Sequence, residues 1–187
     1  MNFARPAACV TTFALLTACG GSSEPLSFLS LAETGAGLAE EVATIPYTDP
    51  STLPTSDSAT YGGAMLLDVV ELGTAVGQMT LTANFKNSTV SGNVRNIFTA
   101  DEEAMSGSLD IANSPIDRTA DIVNFYTYEA SLTGELTDSN GIYDVDATML
   151  GDFTGTDHRY VEGIVVGGVE FEGEDYDILN GEFYGER

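Results

Sequence analysis

From Tyr61 onward, apolar and polar residues alternate with a period of two. Met65, Leu67 and Val69 alternate with Leu66, Asp68 and Val70, and Met79, Leu81, Ala83 and Phe85 with Thr80, Thr82 and Asn84. Tyr126, Tyr128, Ala130 and Leu132 alternate with Thr127, Glu129, Ser131 and Thr133, and Tyr143, Val145, Ala147 and Met149 with Asp144, Asp146, Thr148 and Leu150. Successive side chains of a strand point to opposite faces, so this pattern places one face in a core and the other in water. Eight strands are predicted, near 61–71, 76–86, 88–98, 104–112, 123–135, 142–153, 158–168 and 177–186. Turn signals separate them: Leu72-Gly73, Asn87-Ser88 and Asp138-Ser139-Asn140-Gly141, where Asn-Gly is expected to take positive φ in a tight hairpin. Evenly spaced strands joined by hairpins predict an antiparallel meander, and closing it removes the exposed edges. The expected fold is all-β: a single eight-stranded antiparallel up-and-down β-barrel over 60–187.

Glycine recurs inside these strands, in Ser91-Gly92-Asn93, Ser106-Gly107-Ser108, Thr133-Gly134-Glu135, Gly151-Asp152-Phe153-Thr154-Gly155 and Gly181-Glu182-Phe183-Tyr184-Gly185. Glycine weakens a strand, so repetition needs a cause. A small, tightly coiled barrel supplies one: a missing side chain lets a strand bend, or leaves room for a ring opposite. Phe153 and Phe183, each set between glycines, are expected to point inward.

Before Tyr61 the pattern fades. Phe28 to Val42 is a candidate short helix, weakly periodic through Leu29, Ala32, Ala36 and Ala39, but Gly35 and Gly37 interrupt it. Pro46, Pro50 and Pro54 stand among Asp, Ser and Thr. Residues 19–59 therefore read as a flexible linker.

The first residues carry a different signal. Arg5 precedes an apolar run from Ala7 to Leu16, too short for the ~20 residues that span a bilayer. Leu16-Thr17-Ala18-Cys19 then leads into Gly20-Gly21-Ser22-Ser23. This resembles the lipobox of bacterial lipoproteins. The resemblance implies a signal peptide over 1–18, cleavage before Cys19, and lipidation of Cys19 on its sulfur and new amine. Several acyl chains anchor firmly, at ~0.8 kcal/mol per buried methylene. Gly20 stands where lipoproteins retained at the inner membrane carry Asp, which implies export to the outer membrane.

Composition narrows the partners. The chain of 187 residues has 29 Asp and Glu against 6 Lys and Arg, a formal charge of −23. Nucleic acid is excluded, because phosphate binding needs clustered cations. The two cysteines, Cys9 and Cys19, leave the barrel without a disulfide or a thiolate metal site.

A second resemblance spans roughly residues 54 to 187. Pro54-Thr55-Ser56-Asp57-Ser58-Ala59-Thr60-Tyr61-Gly62-Gly63, then Phe85 leading into Ser88-Thr89-Val90-Ser91-Gly92, then the paired Gly-x-Phe-x-Gly motifs resemble the transferrin-binding protein B-type β-barrel domain. The resemblance implies an eight-stranded barrel on a lipid anchor. Members include host-iron-protein receptors, haem-related binders and small lipoproteins. Two-lobed members pair each barrel with a handle domain, whereas this chain has room for one barrel and no handle. Their transferrin-contacting region has no counterpart here, so no ligand-binding residue is carried over, and a host iron protein or haem is weakly supported as a ligand.

Candidate chemistry is sparse. His158, the single histidine, follows Asp157 at a predicted strand start. It is a candidate for metal, haem iron or general-base chemistry, but no second histidine completes such a site, so an exposed loop residue is expected. Asp101-Glu102-Glu103, Asp138, Asp144 with Asp146, and Glu170 to Asp177 offer hard oxygen ligands, yet none has the spacing of a calcium loop. No Gly-x-Ser-x-Gly or phosphate-binding glycine loop occurs. Tyr126, Tyr128, Tyr143, Tyr160, Tyr176 and Tyr184 suit barrel wall or core, or a recognition surface. The sequence thus points to a non-catalytic lipoprotein without cofactor or metal, anchored at the outer membrane and presenting a barrel to a protein or small-molecule ligand. A structural lipoprotein facing the periplasm and a small integral outer-membrane barrel are the alternatives.

Overall fold

The structure, a computed structural model, describes residues 25–187; the expected signal sequence and Cys19 lie outside them. A helix, α1 (Phe28–Val42), and a short 3-10 turn (Pro50–Thr52) precede nine strands. These are β1 (Ser58–Val69), β2 (Gly73–Asn84), β3 (Thr89–Thr99), β4 (Ala104–Gly107), β5 (Leu109–Pro115), β6 (Tyr128–Thr137), β7 (Ile142–Thr154), β8 (Tyr160–Phe171) and β9 (Glu174–Glu186). Apart from β4 and β5, strands consecutive in sequence pair antiparallel, and β1 pairs with β9 to close the ring. β4 and β5 are two pieces of one stave, each lying between β3 and β6. Gly107, at φ 107°, breaks that stave. The barrel therefore has eight staves, as the period of two predicts.

The alternation sorts the faces. Tyr61, Met65, Leu67 and Val69 of β1 point inward, as do Met79, Leu81 and Ala83 of β2 and Val145, Ala147, Met149 and Phe153 of β7. Asp110, Glu129, Glu135, Asp144 and Asp146 are exposed on the outside. Fully burying each large apolar side chain contributes about 1.5–3 kcal/mol, and an eight-stave barrel is narrow enough for such side chains to fill.

Phe153 and Phe183 point inward as expected, and the glycines show why. A Cβ on Gly151 or on Gly163 would lie 2.7 Å from Cζ of Phe183. The Phe183 ring thus occupies the space that two neighbouring strands leave empty. Tyr61, Phe85 and Tyr128 surround Phe153 with ring centroids 5.6–6.0 Å away.

Residues 28–57 depart from the flexible linker expected of them. Helix α1 lies on the outer face of the barrel. Leu31 is buried with Ala64 and Val76, and Phe28 and Phe98 flank them. Gly35 lets the helix approach Ala64 closely. Ser27 and Ser30 form a reciprocal cap, and Glu102 accepts the Phe28 and Leu29 N–H groups at 3.0 and 3.3 Å. At the other end the Tyr160 hydroxyl donates to Glu41 at 2.9 Å. The chain then continues as a strap: the Thr48 N–H donates to the Phe153 carbonyl at 2.8 Å, and the Gly155 N–H to that of Pro46 at 3.0 Å. Tertiary packing overrides the weak propensity of this segment.

Candidate functional site: the open mouth of the barrel

The up-and-down path puts alternate turns at opposite ends. One end carries the β2–β3, β5–β6 and β7–β8 connections and the C-terminus. It is sealed. Leu53, on the strap, is buried in the barrel core with Phe85 and Ile116. Arg118 holds the seal: its Nε donates to Ser88 Oγ at 2.8 Å, and its two Nη groups donate to the carbonyls of Leu53, Pro54 and Phe85 at 2.5–2.9 Å. One planar guanidinium thereby ties the strap to the β2–β3 turn.

His158 belongs to this seal, so the expected exposed loop residue is in fact half-buried. It sits at φ 44° in the β7–β8 turn, edge-on to Phe85 with centroids 4.9 Å apart. Its carbonyl accepts the Tyr61 hydroxyl at 2.8 Å. Burial first, then nearby Arg187, lowers its pKa, which keeps the ring neutral at physiological pH.

Outside the barrel at the same end, Asp152 and Glu162 stand directly opposite each other on β7 and β8. Asp152 is buried and accepts the backbone N–H of Thr127 at 2.9 Å and its hydroxyl at 2.6 Å. Glu162 accepts the Thr154 hydroxyl at 2.7 Å. Burial raises the pKa of both, and the charge of Asp152 adds to the effect on Glu162.

The opposite end is open. There the β1–β2, β3–β4 and β6–β7 turns, with Val169 of β8, line a cavity of about 140 Å³. Leu67, Val69, Leu136, Val145 and Val169 form its floor, with Leu72, Ala75 and Met105 beside them. Asp101, Glu103, Asp138 and Tyr143 stand around it. Beneath, the side chains of the core close the barrel again, leaving a void of only about 10 Å³.

The rim is rigid on one side. Asp138 Oδ1 accepts the N–H groups of Asn140 and Gly141 at 2.7 and 3.1 Å, and Oδ2 accepts the Tyr143 hydroxyl at 3.1 Å. Burial opposes its charge, but these donors prevail and lower its pKa, so it stays ionised. This side-chain turn replaces the positive-φ Asn-Gly turn expected from the sequence: neither Asn140 nor Gly141 has positive φ. The Tyr143 ring is stacked on Phe171 at 4.6 Å. Glu103 accepts the Ser139 N–H at 3.2 Å, joining the β3–β4 and β6–β7 turns.

Other sequence candidates disperse. Asp144, Asp146, Glu170 and Glu172 are exposed outside the barrel, and among the described residues no group of three or more His, Cys, Asp or Glu could hold a metal ion. Tyr128 is core. Its hydroxyl has no hydrogen-bond partner among the described residues, and burial raises its pKa well above the ordinary value. Tyr184 and Glu182 line a second gap, about 170 Å³, between α1 and the barrel wall. Cys19 lies outside the described residues. Sequence reasoning missed the mouth as a set, because its lining runs from Leu67 to Val169. It missed Arg118 as well, whose only local mark was being one of few cations. A scan against models of known protein families finds no match, and a search among curated proteins finds none.

Proposed function

We propose that the chain is an outer-membrane lipoprotein, anchored through Cys19, whose barrel binds a small ligand or a protein segment at its open mouth without transforming it. The observation that carries the binding assignment is the asymmetry of the barrel. One end is sealed by the strap, Arg118 and an aromatic cluster; the other opens on an apolar floor with a polar rim. Concave, largely apolar sites with a few fixed polar groups are the usual form of ligand sites. The transferrin-binding protein B-type resemblance favours the same kind of activity.

The outside of the barrel is charged and its inside apolar. A barrel that spans a membrane has the inverse pattern, so an anchored barrel is favoured over an integral one. The tether would leave beside the mouth, because Glu102 of the β3–β4 turn caps the first N–H groups of α1. Phe28 lies nine positions after Cys19, a reach of at most about 30 Å. The mouth would then face the anchoring membrane. Fractionation of cells carrying wild type and Cys19→Ala tests the anchor: the wild type should pellet with outer membranes and the variant should be released. Membrane retention of the variant would contradict it. Extraction of small molecules from the purified chain tests the site. The wild type should retain a ligand that a mouth-filling Val69→Phe variant lacks; equal retention would contradict it.

A further inference from the structure

The cations of the molecule, unlike its acids, are gathered at one end. Lys86, Arg118, Arg159 and Arg187 all lie at the sealed end, in the turns and at the C-terminus. Arg95 is exposed on the outer face of β3. The open end has no cation in its turns: they carry Glu71, Asp101, Glu102, Glu103, Asp138 and Glu172. The cavity lining contains three carboxylates and no basic side chain to neutralise them. Asp138 is saturated by donors, and Glu103 accepts one N–H, whereas among the described residues no group donates to Asp101.

Size adds a second constraint. A cavity near 150 Å³ lined by Leu, Ile and Phe is large enough for benzene. The mouth, at about 140 Å³ over Leu, Val and Met, takes an apolar group of that size and little more. Tyr143 supplies an aromatic ring at the rim, and ring faces attract organic cations within about 6 Å.

Resting on the mouth as the binding end, we infer that its ligand class is an organic cation: an ammonium or guanidinium group carrying an apolar portion of about benzene size. The apolar portion fills the floor over Leu67, Val69 and Val169. The cationic head stays at the rim between Asp101, Glu103 and Tyr143. A carboxylate- or phosphate-bearing ligand of the same size is repelled. The like-signed field of the whole end also raises the local concentration of cations, so binding weakens as salt rises.

Titration calorimetry on the full-length chain tests this with three probes of matched size: benzyltrimethylammonium, benzyl alcohol and benzenesulfonate. Side-chain NMR shifts, read in parallel, report where each probe binds. The ammonium should bind about tenfold more tightly than the alcohol, as one desolvated cation contact of this kind allows, and the sulfonate not measurably. The double variant Asp101→Asn with Glu103→Gln, both on surface turns, should remove most of the ammonium's advantage. Equal binding of ammonium and alcohol with shifts at Val69 and Val169 would overturn the cation inference and leave the mouth as the binding end. Ammonium affinity unchanged in the double variant would also overturn it. Shifts at neither valine with any probe would overturn both.

Discussion

The two ends of this barrel are made from the same alternating strands, yet they finish differently. At one end the strand interiors converge on rings: Tyr61, Phe85 and Tyr128 pack around Phe153, Tyr128 also meets Phe183, and the strap closes over them with Leu53. At the other, the inward residues are Leu67, Val69, Val145 and Val169, which are too short to meet across the opening. The difference lies in side-chain length at inward positions and in one covering segment, not in the backbone plan. A barrel end is thus sealed or opened by a handful of residues on a common scaffold.

Substitutions should separate the ends by size of effect. The largest loss is expected for Phe183→Ala, which removes a fully buried ring from over Gly151 and Gly163. Chemical denaturation should show about 3–5 kcal/mol less stability. Leu72→Ala, at the half-buried mouth, should cost well under half of that; equal costs would erase the distinction between a packed and an unfilled end.

Arg118→Ala comes next. It strands the carbonyls of Leu53, Pro54 and Phe85. A loss of about 2 kcal/mol is expected, with faster amide exchange confined to residues 43–57. Exchange that quickens equally at the mouth would mean the strap is not a local seal.

The smallest effect is a pH dependence from Glu162. Its pKa is raised in the folded barrel, so folding favours the protonated form. That stability is fully present below the unfolded carboxylate range, about pH 4, and is lost as pH rises through the folded value. Glu162→Gln, which keeps an acceptor for Thr154, should therefore gain on the wild type as pH climbs from 4 to 7. A gap in melting temperature that is constant with pH would contradict the assignment.

The barrel was legible because its signal is local. Period-two alternation and the spacing of Leu72-Gly73 and Asn87-Ser88 place strands to within a few residues, and the Gly-x-Phe-x-Gly motifs mark both inward rings. Helix α1 was legible only as a candidate over Phe28–Val42, because Gly35 and Gly37 lower its propensity while the contacts that stabilise it, Ala64, Val76 and Glu102, lie far along the chain. The break between β4 and β5 hides in Ser106-Gly107-Ser108, which reads equally as an unbroken strand. The role of Arg118 depends on three backbone carbonyls, which no side-chain pattern encodes. The mouth is assembled from turns up to a hundred residues apart, so its acids looked like separate solvated runs.

Thiol accessibility tests the asymmetry most directly. In a background with Cys9 and Cys19 both replaced by Ala, single cysteines replace Val69 at the mouth and Val161 at the sealed end, both buried and both pointing inward. Their rates with a small maleimide are compared under native conditions. The barrel described here predicts that the cysteine at 69 reacts at least about tenfold faster, since it needs only mobility of the rim, whereas the other needs the strap and aromatic cluster to open. Equal rates, or faster reaction at 161, would contradict a barrel sealed at one end and open at the other.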